Sequence, residues 1–418
     1  MRNALVLTFY LSDQLLSVML PFSSGTFASC IIAIGLCRVS ISWGQLSNIF
    51  FAGSLAIAAG FVGAFLSDTP TSVFFMATIA MFTGMWIVGA GLSKEDSVLI
   101  SPESAFFGVL FSSGFLLLSV LGWDAMSFMQ GAATNRGSGL YLEPSHYALF
   151  VMPLWLIAYQ HRVFRPWLYA SLVFSLLQCF SITLVAFIAC ALVMHVYLSR
   201  DQGRNGFHKQ GRRIIAGVML VALAYSASNV LTVDGVLLKD YVGTRLYGLM
   251  NPDETGAYNL TSLVVLQGLE LAQLSFSESF GMGVGLGNFG ISDQIVDQSG
   301  FRTLINSVMD GGDLNLRDGG ILANKLMGEL GILALAIPLI LVLYIRRLKA
   351  TLDGHALGYH GALAVTLVCL LLVRALPYFS APVCLTILSL TGVLGTRGRF
   401  GERQPVKPLH PIIPVASS

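Results

Sequence analysis

The sequence predicts an all-α fold, that of a polytopic integral membrane protein. Three observations predict it. Of 418 residues, 55% are hydrophobic and only 11% charged, whereas soluble domains carry about 25% charged residues. Mean hydropathy is +0.74. The apolar residues come in long runs close to the roughly 20 residues that a helix needs to cross the hydrocarbon core. A surface this poor in charge cannot be solvated all round, so much of it must lie in lipid.

Taken in order, about 12 spans are predicted: 3–21, 24–38, 47–67, 71–92, 104–122, 146–160, 166–180, 182–198, 214–231, 327–345, 360–376 and 380–395. The run after Met1 and Arg2 reads as a retained first helix rather than a signal peptide, because further spans follow at once. The seventh and eighth runs are crowded and leave two separate helices or one broken helix open. All six cysteines, Cys30, Cys37, Cys179, Cys190, Cys369 and Cys384, sit in apolar runs without a C-x-x-C pair. They read as small hydrophobes, not as a disulfide framework or a metal site.

Lys and Arg in short loops set the orientation. The 199–213 loop holds Arg200, Arg204, Lys209, Arg212 and Arg213 and should face the cytoplasm. With 12 spans, the clusters at 161–166, 346–349 and the tail with Arg397, Arg399, Arg403 and Lys407 fall on the same side, as does Arg2. Both termini are then cytoplasmic. Two long loops fall outside, 123–145 and 232–320. The larger holds 11 acidic and four basic residues. The predicted organisation is helices 1–9 over 1–231, a large external loop carrying short helices over 232–320, helices 10–12 over 321–396, and a tail at 397–418. No internal repeat is visible, and a net charge of +2 implies no nucleic-acid partner.

The stretch 281–290, GMGVGLGNFG, matches G-x-G-x-x-G at Gly285, Gly287 and Gly290. A dinucleotide fingerprint needs a βαβ unit around it, and none surrounds these glycines. They read either as a flexible turn or as a loop whose backbone approaches a ligand or helix closely, which glycine permits.

Three stretches carry a resemblance. GVGLGNF at 283–289 resembles the G-x-G-x-G-N-F stretch of the O-antigen ligase/polymerase superfamily. RGSGLYLEPSHYA at 136–148 resembles the signature of O-antigen (Wzy-type) repeat-unit polymerases. LRDGGILANKLMGELGI at 316–332 resembles the end of the same outer loop, where a short helix ends in Glu-x-Gly. The ligase branch is expected to carry a His-Asn pair near the start of that helix. Here the positions read Asp318, Gly319 and Gly320, which favours the polymerase branch.

The resemblance implies glycosyl transfer from an undecaprenyl-diphosphate-linked glycan donor to a glycan acceptor, with inversion, at the periplasmic face of a bacterial inner membrane. It implies no cofactor, and a chain-length regulator protein as partner. The leaving diphosphate needs positive charge and the acceptor hydroxyl needs a base. Arg pairs bidentately with phosphate, so a metal is not required if enough Arg is present. The two outer loops contain Arg136, Arg245, Arg302 and Arg317. Arg136, Arg245 and Arg317 are the diphosphate candidates, and Arg302 ranks last; each alternatively forms a surface salt bridge. Arg374, in the run VRALPYF, is a fourth candidate, or else snorkels or pairs with Glu329. Pro377 is positioned to break its helix.

Glu143 and His146, at i and i+3 behind Pro144, are the base candidates, with Asp318 as rival. The structural alternatives are a helix N-terminal carboxylate for Glu143, an interfacial His for His146 and an N-cap for Asp318. Gly283, Gly285, Gly287 and Asn288 are the expected substrate-loop residues. Asp13, Lys325 and Glu329 are intramembrane ionisable groups, with Lys325 and Glu329 spaced to pair at i, i+4. The rival functions are an O-antigen ligase acting on lipid A core, a transporter or flippase using Asp13, Arg374 and the Lys325/Glu329 pair, and a membrane scaffold.

Overall fold

A computed structural model describes residues 2–19, 26–36, 39, 41–70, 73–92, 98–121, 140–141, 143–178, 181–198, 232–233, 236–237, 260–308, 316–317, 319–351 and 358–395. These residues are almost entirely helical. The first group is α1 (Arg2–Met19), α2 (Thr26–Leu36), α3 (Trp43–Leu66), α4 (Val73–Gly91), α5 (Pro102–Val120), α6 (Pro144–Ala158), α7 (Arg165–Gln178) and α8 (Ile182–Leu198). Next come α9 (Leu260–Glu278), α10 (Asp293–Asp297) and α11 (Gly300–Val308), then α12 (Leu322–Leu330), α13 (Ala336–Thr351), α14 (Gly358–Leu372) and α15 (Ala381–Gly395). The extended structure among the described residues is one antiparallel pair, Thr232–Val233 with Val236–Leu237. Among the described residues no βαβ unit surrounds the glycine stretch, which lies between α9 and α10.

Helix ends follow local chemistry. The α3 N-terminus is a capping box made by Ser42 and Gln45, which satisfies two otherwise orphaned N–H groups. Ser101 caps α5 ahead of Pro102, and Pro144 opens α6, where its missing N–H costs nothing. Ser181 Oγ accepts the Leu184 N–H at 3.1 Å, so the crowded seventh and eighth runs are two helices.

Each predicted span except 214–231 contains a described helix; 214–231 lies outside the described residues. Among the described residues, three stretches, α3, α5 and Leu322–Ala350, are long and apolar enough to cross a membrane. The last corrects the expected span 327–345. Helix begins at Leu322 and is interrupted by a 3₁₀ turn over Gly331–Leu335, where Gly331 sits at φ +54°.

The core forms around α6, which is buried from Tyr147 to Ala158 and packs against α5, α8 and α14. Tyr141, ahead of it, is buried and hydrogen-bonds Ser112 at 3.0 Å; burial holds its phenol well above the usual tyrosine range, so it stays neutral. α15 packs between α4 and α14. Outward faces are apolar and bare: Trp43, Phe51, Phe65, Leu335 and Leu339 are exposed. Large exposed apolar belts around a buried helical core mark a lipid-facing surface.

In the 232–320 stretch, α10 and α11 are short, but α9 runs 19 residues, longer than the short helices expected there. It packs along α12. Glu270 on α9 accepts from Ser299 Oγ at 2.5 Å, Gly300 N–H at 3.1 Å and Phe301 N–H at 3.2 Å, holding the start of α11.

Candidate functional site at the glycine loop

The glycine loop is fixed by backbone on both sides. Val284 N–H bonds Gly328 O at 3.0 Å, Gly285 N–H bonds Glu329 O at 2.9 Å and Ile332 N–H bonds Gly281 O at 2.8 Å. The first two satisfy carbonyls that the end of α12 would leave open; in the third the loop carbonyl accepts from Ile332, just past that end. On the other side lies α3, where a side chain at Gly63 would run into Gly283 O. Gly283, Gly285 and Gly287 all have positive φ, +78°, +90° and +85°. Of the two sequence alternatives, the flexible turn gives way to close approach between backbone and helices. Asn288 is buried and donates from Nδ2 to Val284 O at 2.9 Å, so it braces the loop.

Glu329 ties this loop to a third segment. It is 1% exposed. Its Oε1 accepts the Phe289 N–H at 3.4 Å, and the Gly287 N–H also bonds to it. Its Oε2 accepts a short hydrogen bond from Tyr378 Oη. Lys325, one turn earlier, places Nζ 4.4 Å from the Tyr378 ring centroid. Lys325 and Glu329 interact by charge, as their i, i+4 spacing suggested, and both also meet Tyr378, which sequence reasoning missed. α14 ends at Leu372, and Pro377 lies in the connection to α15, which carries Arg374 and Tyr378.

Arg374 pairs with neither Glu329 nor solvent. Its Nη2 contacts Glu143 Oε2 at 3.1 Å, with side chains 10% and 48% exposed. Two sequence candidates 231 residues apart thus meet. Glu143 occupies the N-cap position of α6 without bonding its N–H groups; its Oε2 instead accepts from Ser145 Oγ at 2.9 Å. His146 follows one turn later and is half-buried.

The turn before α12 joins the same junction. Gly320 O accepts the Ala375 N–H at 2.9 Å, next to Arg374. Gly319 and Gly320 have φ +66° and +70°, and an added Cβ would stand 3.0 Å from Lys325 N or 2.8 Å from Val265 Cα. Arg317 is exposed on this turn, and its backbone lies beside Gly290. The N-cap position of α12 is Ile321, not Asp318, so the helix starts later than the N-cap alternative for Asp318 required.

Asp318, Arg136 and Arg245 lie outside the described residues. Arg302 forms a close ion pair with Asp297, the structural alternative. Asp13 accepts the Ala381 N–H at 3.0 Å, so it caps α15 from α1.

The junction therefore gathers the cations Lys325 and Arg374, the carboxyls Glu143 and Glu329, one phenol and a hydrogen-bonded glycine loop, with Arg317 exposed on the adjoining turn. That donor set suits an anionic, oxygen-rich ligand, and a half-exposed carboxylate beside a buried guanidinium suits proton transfer next to a developing anion. Compared with known protein families and with curated proteins, the chain matches none.

Proposed function

We propose that the chain is a glycosyltransferase that polymerises undecaprenyl-diphosphate-linked oligosaccharide repeat units into O-antigen or a related surface polysaccharide. It crosses a bacterial inner membrane about 12 times, with both termini cytoplasmic, the 232–320 loop periplasmic and a chain-length regulator as partner. The observation that carries the proposal is the junction itself. The three stretches that resemble the polymerase family, far apart in sequence, meet through Arg374–Glu143, Gly320–Ala375 and the glycine loop on Glu329.

In this reaction the acceptor hydroxyl attacks the anomeric carbon of the donor, the bond to the diphosphate oxygen breaks, and configuration inverts. Glu143 takes the hydroxyl proton, with His146 next to it in the same turn. Arg374, with Arg317 and the loop residues Arg136 and Arg245, stabilises the leaving diphosphate. Glu143 holds Arg374 oriented before substrate arrives, so that little reorganisation accompanies charge development.

The ligase alternative is disfavoured by Gly319 and Gly320, whose positive φ and backbone contacts leave no room for a His-Asn pair there. The transporter alternative is disfavoured because Asp13 caps α15, while Lys325 and Glu329 are locked on Tyr378.

The test reconstitutes the protein in liposomes with a lipid-diphosphate-linked repeat unit and compares wild type with Arg374→Ala and Arg317→Ala. Loss of one charge-assisted contact to the leaving group should lower kcat by about 10- to 100-fold. Unchanged kcat in both variants would remove the arginines from the reaction.

A further inference from the structure

A short turn with a 3₁₀ stretch over Arg162–Phe164 joins α6 to α7. It carries two arginines that the proposed reaction does not use. Arg165, the first residue of α7, is half-buried and held twice. Its Nε donates to Tyr159 O at 3.1 Å, and its guanidinium carbon lies 4.6 Å from the Tyr159 ring centroid. Tyr159 is itself fixed: it stacks on Trp155 at 5.0 Å and shares a 2.7 Å hydrogen bond with Tyr169 Oη. Among the described residues no acceptor meets Arg165 Nη1 or Nη2, which together can grip one phosphate. A guanidinium already held in place loses little freedom when it binds. Arg162, three residues earlier, is exposed and forms no ion pair among the described residues. The carboxylate that reaches this turn, Glu103 at the start of α5, is taken by His161 at 3.2 Å. Around the two cations the surface is apolar and aromatic, with Val163 78%, Trp167 65% and Tyr169 45% exposed. Arginines set among exposed Trp and Tyr are the composition of a membrane–water interface.

We propose that the α6–α7 turn binds the headgroup of an anionic phospholipid from the surrounding leaflet. Arg165 grips the phosphate through Nη1 and Nη2, and Arg162 adds the second positive charge. Val163 and Trp167 meet the lipid below its headgroup. The charge balance selects the lipid. A choline headgroup carries its own cation beside the phosphate, whereas two arginines without a carboxylate call for a headgroup that is negative overall. The site shares no residue with the junction of Arg374 and Glu143, and it does not depend on the polymerase proposal.

The experiment titrates the purified full chain in neutral detergent with phosphatidylglycerol or phosphatidylcholine and counts retained lipids by native mass spectrometry. Wild type should retain phosphatidylglycerol in preference to phosphatidylcholine, with an affinity that falls as salt is added. Arg162→Gln and Arg165→Gln should each raise its dissociation constant about fivefold, the worth of one interfacial arginine, and the double variant should raise it further. Arg165→Lys keeps the charge but loses the fork, so it should fall between wild type and Arg165→Gln. Arg302→Gln removes the same charge from a residue already paired with Asp297 and should bind like wild type. Hydrogen exchange needs no variant: in nanodiscs, wild type should exchange more slowly across 159–167 with phosphatidylglycerol than with phosphatidylcholine. Equal retention of the two lipids by wild type, or unchanged affinity in the double variant, overturns the site. An equal drop in Arg302→Gln would reduce the effect to net charge and overturn it too. Soluble glycerophosphoglycerol binding as tightly as the lipid would make the turn a site for soluble phosphodiesters and overturn the lipid assignment.

Discussion

Removing the Glu329 carboxyl should release the glycine loop. In Glu329→Ala three donors lose their acceptor: the Tyr378 hydroxyl and the Phe289 and Gly287 N–H groups. Each buried donor left unsatisfied costs about 1–3 kcal/mol. Relaxation and the marginal 3.4 Å Phe289 bond pull the sum down, so the expected loss is about 3 kcal/mol. Glu329→Gln keeps an acceptor for the amides and presents its NH₂ to the Tyr378 oxygen, so it should lose only about 1 kcal/mol. The assay is denaturant unfolding of the detergent-purified protein, with hydrogen exchange read at 283–289. Glu329→Ala should raise exchange there while α6 stays protected. A loss below about 1 kcal/mol, or unchanged exchange at 283–289, would refute the idea that Glu329 clasps the loop.

Three further outcomes are expected. Gly63→Ala drives a methyl into Gly283 O and should destabilise by about 1–3 kcal/mol or more, with loss of ladder synthesis; wild-type stability by unfolding would contradict the close approach. Phe280 lies at φ +50° just past α9 and is 81% exposed; Phe280→Gly relieves a left-handed backbone and should stabilise by about 1 kcal/mol, measured by the same unfolding. A double-mutant cycle on Arg374→Ala and Glu143→Ala should give a coupling of no more than about 1 kcal/mol, since Glu143 is half-exposed, and the coupling should shrink as salt is added.

Helix positions were legible because apolar runs bounded by caps and prolines leave few alternatives. Ser42, Ser101 and Pro144 mark starts that any capping rule finds. The break inside 322–351 was not legible: its cause is Gly331 packing on Gly281 and Gly283, fifty residues earlier, and no local signal carries that. The candidate site was half legible. Glu143, Arg374 and the glycine stretch stood out as charge and glycine in unusual places, yet their meeting depends on how α6, α12 and the 373–380 connection pack. Tyr378 gave only the weak signal of an aromatic after Pro377. Lys325 and Glu329 were visible as intramembrane charges whose spacing suggested each other as partner, and they do interact; tertiary packing added Tyr378 to both. Asn288 looked like a ligand-facing residue and is turned inward to Val284 O, because a loop this rich in glycine needs a side chain of its own to hold it.

The most direct measurement offers one donor, a lipid-diphosphate-linked repeat unit, to the reconstituted wild-type protein with two acceptors, the same repeat unit and lipid A core, and resolves products by length. The account predicts a ladder of glycans spaced one repeat unit apart and still linked to lipid diphosphate, with no sugar on the core. Transfer to the core alone, or movement of a solute with no new glycosidic bond, would contradict it.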